Sequence, residues 1–503
     1  MQDYSKFIME RKTLLASKRI NSTKRPRVLA ITTSRDRPHF IRYCALQMAM
    51  QSVSVDHAIF INAKDPANHR KNYISLLDDI DPRNTLFLGF GQSIVPHHNH
   101  CAAMGLADRL DDYDIILKID DDDLYRHTYV EEVLQSYDEH NWDFSGSHSE
   151  GILNKRERHT HTRHESLGLK ERDIELGVPP MMPNSFALSK KAVKAVRSLD
   201  IPYDKFIYED VIWRRFLVGA PEFKVVKRDV SGVTYNIHGL NHSIPMLKKE
   251  VDPLPIKKYD PRIGWTLKGR LSLEHENPRV LVFLTSRARP TFLRAIILQL
   301  LAQDIPVDIS IYLNHNDYLN SFFNYGDMLK DLPVRENCTV YFQFGPTLTQ
   351  HNNYMASLAQ APLTKYDLFL KVDDDDIYRS GYARSVLESY DKHAFDVSGG
   401  YSEGIIIDSD WFKDLQLKEK GEACESVVGF TFAFSKKGVF CLSDILPDSR
   451  QLDSHGSQNL GDTWRTHFEK NSDIYTLFVR ENTEASFYVH GDNYSKTFSL
   501  IKK

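Results

Sequence analysis

The sequence has no uninterrupted apolar run of membrane-spanning length and no signal-peptide core near its N-terminus. Neither a transmembrane chain nor an exported one is expected from it. Cysteines are scarce: Cys44, Cys101, Cys338, Cys424 and Cys441 are odd in number and include no CxxC pair. That usage excludes a disulfide framework and a zinc site, and fits a reducing, cytoplasmic compartment. Charge of one sign is also missing, with a net of −4, so no nucleic-acid partner is expected. What remains is an ordinary globular composition, 41% hydrophobic and 26% charged. Spread over 503 residues, it predicts two or more domains, each with its own core.

One stretch occurs twice. Tyr113 to Ile152 and Tyr366 to Ile405 align without a gap and are identical at 24 of 40 positions. Each is an apolar strand that runs into four aspartates, Asp120–Asp123 and Asp373–Asp376, followed by a helical pattern. Four adjacent carboxylates repel one another, so a cation is expected among them, and a hard divalent ion suits oxygen ligands. A solvated acidic turn at a helix N-terminus is the structural alternative, and its recurrence in matched flanks counts against it.

The flanks repeat as well. Arg27 to Pro38 ends in Thr33-Ser34-Arg35-Asp36-Arg37-Pro38, and Arg279 to Pro290 ends in Thr285-Ser286-Arg287-Ala288-Arg289-Pro290. Second strands end at Asn62 and Asn314, and third strands at 85–88 and 339–342 follow. Strands alternating with helical stretches predict an α/β fold with a mostly parallel sheet, duplicated in tandem. Its ligands are expected beyond the C-terminal strand ends, where TSRxRP, Asn62, Asn314 and the acidic loops fall. Later matches pair His98-Asn99 with His351-Asn352, Glu209-Asp210 with Gly461-Asp462, and His238 with His490 in HGxN[HY]S blocks. The reading is a basic N-terminal helix at 1–25, domains at 26–244 and 277–503, and a linker at 245–276. Residues 1–25, with apolar side chains at helical spacing, are expected to pack on their own domain or to lie on an anionic membrane face.

The acidic strand end resembles the DxD motif of GT-A fold nucleotide-sugar glycosyltransferases, above all the D-x-D-D of glycosyltransferase family 2. The resemblance implies two tandem GT-A-like, Rossmann-like domains. It implies that Asp122 and Asp375 hold Mn²⁺ or Mg²⁺ against a diphosphate, with His238 and His490 as further metal ligands. Asp120, Asp121, Asp373 and Asp374 would face the donor, as would Asn62 and Asn314. Thr33, Arg35, Arg37, Thr285, Arg287 and Arg289 occupy the family's nucleotide-contacting loop, where arginine pairs with phosphate or stacks on a base. Asp210 looks like the family's general base in an inverting transfer. Asp462 is its apparent counterpart, with Gly461 in place of the glutamate.

These features predict transfer from a nucleotide sugar, a UDP-sugar being the expected donor, to a glycan or lipid-linked glycan. By analogy with tandem polysaccharide synthases, the setting is bacterial capsule or lipopolysaccharide synthesis, with one activity per domain or one catalytic domain beside a donor- or carbohydrate-binding copy. A wholly non-catalytic metal-dependent carbohydrate binder is a separate class, which would have no use for Asp210. A nucleotidyltransferase is disfavoured because TSRDRP and TSRARP hold no glycine for a phosphate loop. The acidic run also lacks EF-hand spacing.

Overall fold

A computed structural model describes residues 10–15, 26–35, 37–62, 73–74, 76–80, 84–91, 95–107, 109–148, 151–154, 157–160, 181–202, 209–229 and 232–237. It further describes 265–268, 279–287, 289–314, 332–333, 338–345, 349–400, 404–407, 410–413, 431–445, 460–480 and 484–489. The chain divides into two compact units, the main break falling between Pro255 and Ile256.

In the first unit the strands are β1 (Glu10–Leu15), β2 (Val28–Ser34), β3 (Asp56–Asn62), β4 (Leu86–Gly91), β5 (Ile115–Asp120), β6 (Leu124–Tyr125), β7 (Phe144–Ser147), β8 (Gly151–Asn154), β9 (Glu157–Thr160), β10 (Ala187–Ser189), β11 (Val225–Arg228) and β12 (Val233–Ile237). Its helices are α1 (Pro38–Ala49), α2 (Pro96–Leu106), α3 (Tyr129–His140), α4 (Lys190–Arg197) and α5 (Glu209–Gly219). The main sheet runs β1-β4-β3-β2-β5-β10-β7-β11, with β4, β3, β2 and β5 mutually parallel. Chain order reverses beside β2, which opens a crevice beyond the strand ends. The continuous apolar runs of β2 and β5 are buried on both faces, as a parallel sheet between helices requires. Pro38 opens α1 at its first turn, where its missing N–H costs nothing. A small second sheet, β6-β12-β8-β9, rises from the acidic loop.

The second unit repeats this order with β13 (Trp265–Lys268), β14 (Val280–Ser286), β15 (Asp308–Asn314), β16 (Thr339–Gly345), β17 (Leu368–Lys371), β18 (Ile377–Tyr378), β19 (Val397–Gly400), β20 (Gly404–Ile407), β21 (Asp410–Lys413), β22 (Ala433–Ser435), β23 (Leu477–Arg480) and β24 (Ala485–Val489). Its helices are α6 (Pro290–Leu301), α7 (Gln350–Leu358), α8 (Tyr382–His393), α9 (Lys436–Cys441) and α10 (Leu460–Lys470). The sheets are β13-β16-β15-β14-β17-β22-β19-β23 and β18-β24-β20-β21. The α/β class, a mostly parallel sheet and its duplication are as the sequence predicts.

Two expectations about the flanks need correction. Glu10–Leu15, placed in a basic helix by its spacing, is an edge strand antiparallel to β4. Trp265–Lys268, placed in the linker, is the matching edge strand on β16. In both cases unpaired backbone groups on the sheet edge offer a row of hydrogen bonds that local periodicity cannot register. The rest of 1–25 and of 245–276 lies outside the described residues. Among the described residues no helix is long and apolar enough to cross a membrane.

Candidate active site

The first unit's site is built where β2 and β5 end side by side. Thr33 pairs with Asp120 in the parallel register, so the TSRxRP loop and the acidic loop leave the sheet together. Ser34 Oγ donates to Asp121. The Arg37 guanidinium forks across two aspartates, one nitrogen on Asp121 and the other on Asp122 at 2.7 Å. Asp121 is fully buried, which pushes its carboxyl up to about 6 despite the opposing pull of Arg37. Asn184 donates to Asp123 at 2.6 Å. The cation demanded by the four carboxylates is therefore supplied in part by the chain itself.

The other cation is Lys118. It lies two residues before Asp120 on the same strand face, and its Nζ sits 2.5 Å from Asp120 Oδ1 and 3.7 Å from Glu209 Oε1. Burial would lower its pKa, but Asp120 and Glu209 outweigh that and keep it charged. On the far side of Glu209 stands His100, with Nδ1 3.6 Å from Glu209 Oε1 and Nε2 3.5 Å from Thr33 Oγ1. Burial drives His100 down to about 3, so it is neutral. Asp210 follows Glu209 in the first turn of α5. Its pKa is pushed up to about 6 by burial and by the neighbouring Glu209 charge, against the pull of Lys118 and Arg214.

The second unit repeats the fork: Ser286 and Arg289 on Asp374, and Arg289 on Asp375 at 2.7 Å. Lys371 holds Asp373 at 2.7 Å. Beyond the lysine the units differ. Trp213 Nε1 donates to His97 Nδ1 at 2.9 Å, and Trp464 Nε1 donates to His351 Nδ1 at 3.1 Å. Both indoles are fully buried and meet those histidines at the same 6.0 Å ring separation. They fix the structural equivalence: His97 matches His351, so His98-Asn99 is not the counterpart of His351-Asn352. The same anchor sets the helix register. Counting back from each tryptophan, Asp210 matches Gly461 and Glu209 matches Leu460, while Asp462 takes the position of Val211. One helix position is about 100° around the axis, so Asp462 is not where the pairing of Asp with Asp puts it.

The remaining predicted residues are placed as follows. Thr33 and Thr285 are half-buried, and Arg35 and Arg287 are exposed on their loops. Asn62 and Asn314 close β3 and β15 beside them. His238 and His490 lie outside the described residues. β12 runs antiparallel to β6, pairing Val233 with Tyr125 and Thr234 with Leu124, which carries the chain back toward the acidic loop before His238. Among the described residues no group of three His, Cys, Asp or Glu side chains is placed to hold a metal ion. Lys118, Lys371, His100 and Tyr354 belong to the site without being expected from the sequence. The lysines carried a signal, since a charge inside an otherwise apolar strand, present in both copies, must have a buried partner.

Replacing Arg37 with Met would leave Asp121 buried beside Asp122 without its counter-charge. The expected cost is about 3–5 kcal/mol, or a fall of roughly 6–20 °C in the first unit's thermal transition. Lysine at this position should not restore it, because it lacks the fork. A transition within 1 °C of wild type, to the order of measurement error, would show that the fork does not hold the loop.

No family model matches the chain, and no curated protein matches its sequence. Solved structures resemble parts of it. They include S. aureus TarS 1-349 in complex with UDP, at 16% identity over 42% of this chain and 60% of that one, with a TM-score of 0.31. The same TarS segment with UDP-GlcNAc aligns at 16% identity over 45% and 62%, with a TM-score of 0.32. The mannosyltransferase PcManGT from Pyrobaculum calidifontis, in complex with GDP-Man and Mn²⁺, aligns at 11% identity over 45% and 62%, with a TM-score of 0.31. The chain thus spans about three fifths of the length of these structures.

Proposed function

We propose that the chain is a metal-dependent glycosyltransferase whose first unit moves a sugar from a nucleotide-sugar donor, a UDP-sugar being the expected class, to a hydroxyl of a glycan or lipid-linked glycan. Bacterial capsule or lipopolysaccharide synthesis, at the cytoplasmic face of the membrane, is the setting the tandem arrangement suggests by analogy. The observation that carries the reading is Lys118, which stands between Asp120 on the donor side and Glu209-Asp210 on the acceptor side. One buried ammonium thereby links the acidic loop to Glu209, the residue before Asp210, and its charge also acts on Asp210.

Asp210 would accept the proton of the acceptor hydroxyl. The acceptor oxygen bonds to the anomeric carbon while that carbon's bond to the diphosphate breaks, the electron pair leaving with the diphosphate. A single displacement of this kind inverts the sugar. Arg37 is engaged with Asp121 and Asp122, so the exposed Arg35 is the loop arginine left to meet phosphate. Mn²⁺ or Mg²⁺ would be held by Asp122, and by Asp375 in the second unit, with Asp120 or Asp373 alongside and His238 or His490 completing the set. The donor chemistry fits. The Asp120 and Asp122 side chains are 30% and 11% exposed, against 1% for Asp121. A site of this class needs only one or two carboxylates, since phosphates and water supply the rest. When bound, the ion offsets the charge that develops on the leaving diphosphate.

The test is nucleoside diphosphate release from a panel of nucleotide sugars, with Mn²⁺ or with chelator. Chelator and Asp122→Ala should each lower turnover at least about a hundredfold. Donors left intact even with acceptors present, or turnover indifferent to both treatments, would sink the reading.

A further inference from the structure

The second unit keeps the acidic loop and both of its cations but not the far side of the lysine. At the positions of Glu209 and Asp210 it has Leu460, which is buried, and Gly461. Across the lysine, Tyr354 stands where His100 does, packed on Trp464 at 5.8 Å as His100 packs on Trp213 at 5.5 Å. Its ring lies 5.0 Å from Lys371 Nζ, and its hydroxyl donates to Asp373 Oδ1 at 2.5 Å. Lys371 has therefore exchanged a second carboxylate for an aromatic face, and Asp373 has gained a second donor. The two changes pull in different directions functionally. The acceptor-side carboxylate at the Asp210 position is gone, whereas the donor-side aspartate is held more firmly than its counterpart.

We infer that the second unit is a binding site for a nucleoside diphosphate with its divalent cation, that it does not transfer a sugar, and that Tyr354 is the residue positioning its first aspartate. This rests on the donor reading of the acidic loop. Loss of an unused site would have no reason to add a hydroxyl aimed at Asp373, and a working transferase would have no reason to give up Asp210.

The full chain would be titrated calorimetrically with uridine, guanosine, cytidine, adenosine and thymidine diphosphates, each with Mn²⁺. The variants are Asp122→Ala, Asp375→Ala, and Asp122→Ala combined with Tyr354→Phe or Asp462→Asn. Expected are one diphosphate bound by the Asp122→Ala chain and a weakening of about tenfold when Tyr354→Phe is added, the worth of a hydrogen bond to a charged group. Unchanged melting of the second unit would show that Tyr354→Phe is folded. Asp375→Ala should abolish the diphosphate site that the Asp122→Ala chain retains. Three results would overturn the inference: a wild-type chain with a single site that Asp122→Ala abolishes, an affinity indifferent to Tyr354→Phe, or transfer by the Asp122→Ala chain that Asp462→Asn removes. The first of these leaves the first unit's proposed activity standing. Only a wild-type chain that binds none of the five would take both down together.

Discussion

Asp210→Asn should lower the turnover number for sugar transfer by roughly 10²–10⁴-fold, the usual worth of a positioned general base, while nucleotide affinity stays near wild type. The substitution keeps the side chain's shape and removes only its ability to take a proton. Its effect on stability should run the other way. The folded state holds the Asp210 carboxyl at about 6, above its ordinary value, through burial and the adjacent Glu209. Stability is therefore lost as pH rises from the unfolded value through the folded one, and above about pH 6 the ionised group works against folding in full. Asparagine removes that cost, so the variant should melt no lower than wild type at pH 7–8 while losing activity. On the proposed reading, the same raised value should give the wild-type chain's transfer an acid limb. Below about pH 6 Asp210 carries its proton, and transfer should fall tenfold per pH unit. Transfer at wild-type rate in Asp210→Asn, or a profile flat from pH 5 to 8, would exclude Asp210 as the base.

Lys118→Met should destabilise the first unit about as strongly as Arg37→Met. It would leave Asp120, Glu209 and Asp210 around a buried site with no ammonium between them, at a cost of about 3–5 kcal/mol. The surviving folded enzyme should show its acid limb moved to higher pH, because Lys118 is the charge that pulls Asp210 and Glu209 downward. Donor affinity should weaken too, since Asp120 loses its anchor. A lysine with a merely structural role would lower the melting temperature and leave the pH profile where it was. Lys371→Met provides the contrast. Asp373 would keep the Tyr354 hydroxyl, and there is no carboxylate at position 461 to retune. Melting and pH–rate profiles of the two variants would show whether the ammonium links the two sides of the site. A limb unchanged or shifted downward in Lys118→Met would refute that link.

Much of this arrangement was legible in the chain because its strongest determinants are local. Continuous apolar runs such as Val28–Ile31 and Leu368–Leu370 can only be buried strands, and an aspartate cluster at a strand end must lie at the sheet's edge. What escaped the sequence depends on the partner across the fold. Matching Asp462 to Asp210 was natural because both precede a helical pattern and follow a small or acidic residue. The second helix, however, has one residue fewer between its aspartate and the anchoring tryptophan. The repeated Trp213-Arg214 and Trp464-Arg465 carry this register in the sequence, because the large buried indole, not the exchangeable acidic residue, fixes how the helix sits. The arginine fork was invisible for another reason. Arg37 and Asp122 are far apart in sequence, and nothing local distinguishes an arginine reserved for phosphate from one already spent on aspartates.

The edge strands β1 and β13 bear on the origin of the chain. Each precedes its unit's first parallel strand and closes the same side of the sheet, by pairing with β4 in one unit and β16 in the other. The ancestral segment that was copied must therefore have begun ahead of its edge strand, well before the Arg-Val-Leu run where sequence similarity becomes obvious. A copy that started at that run would have entered the cell with the long strand β16 open along its length, ready to pair with any other extended chain.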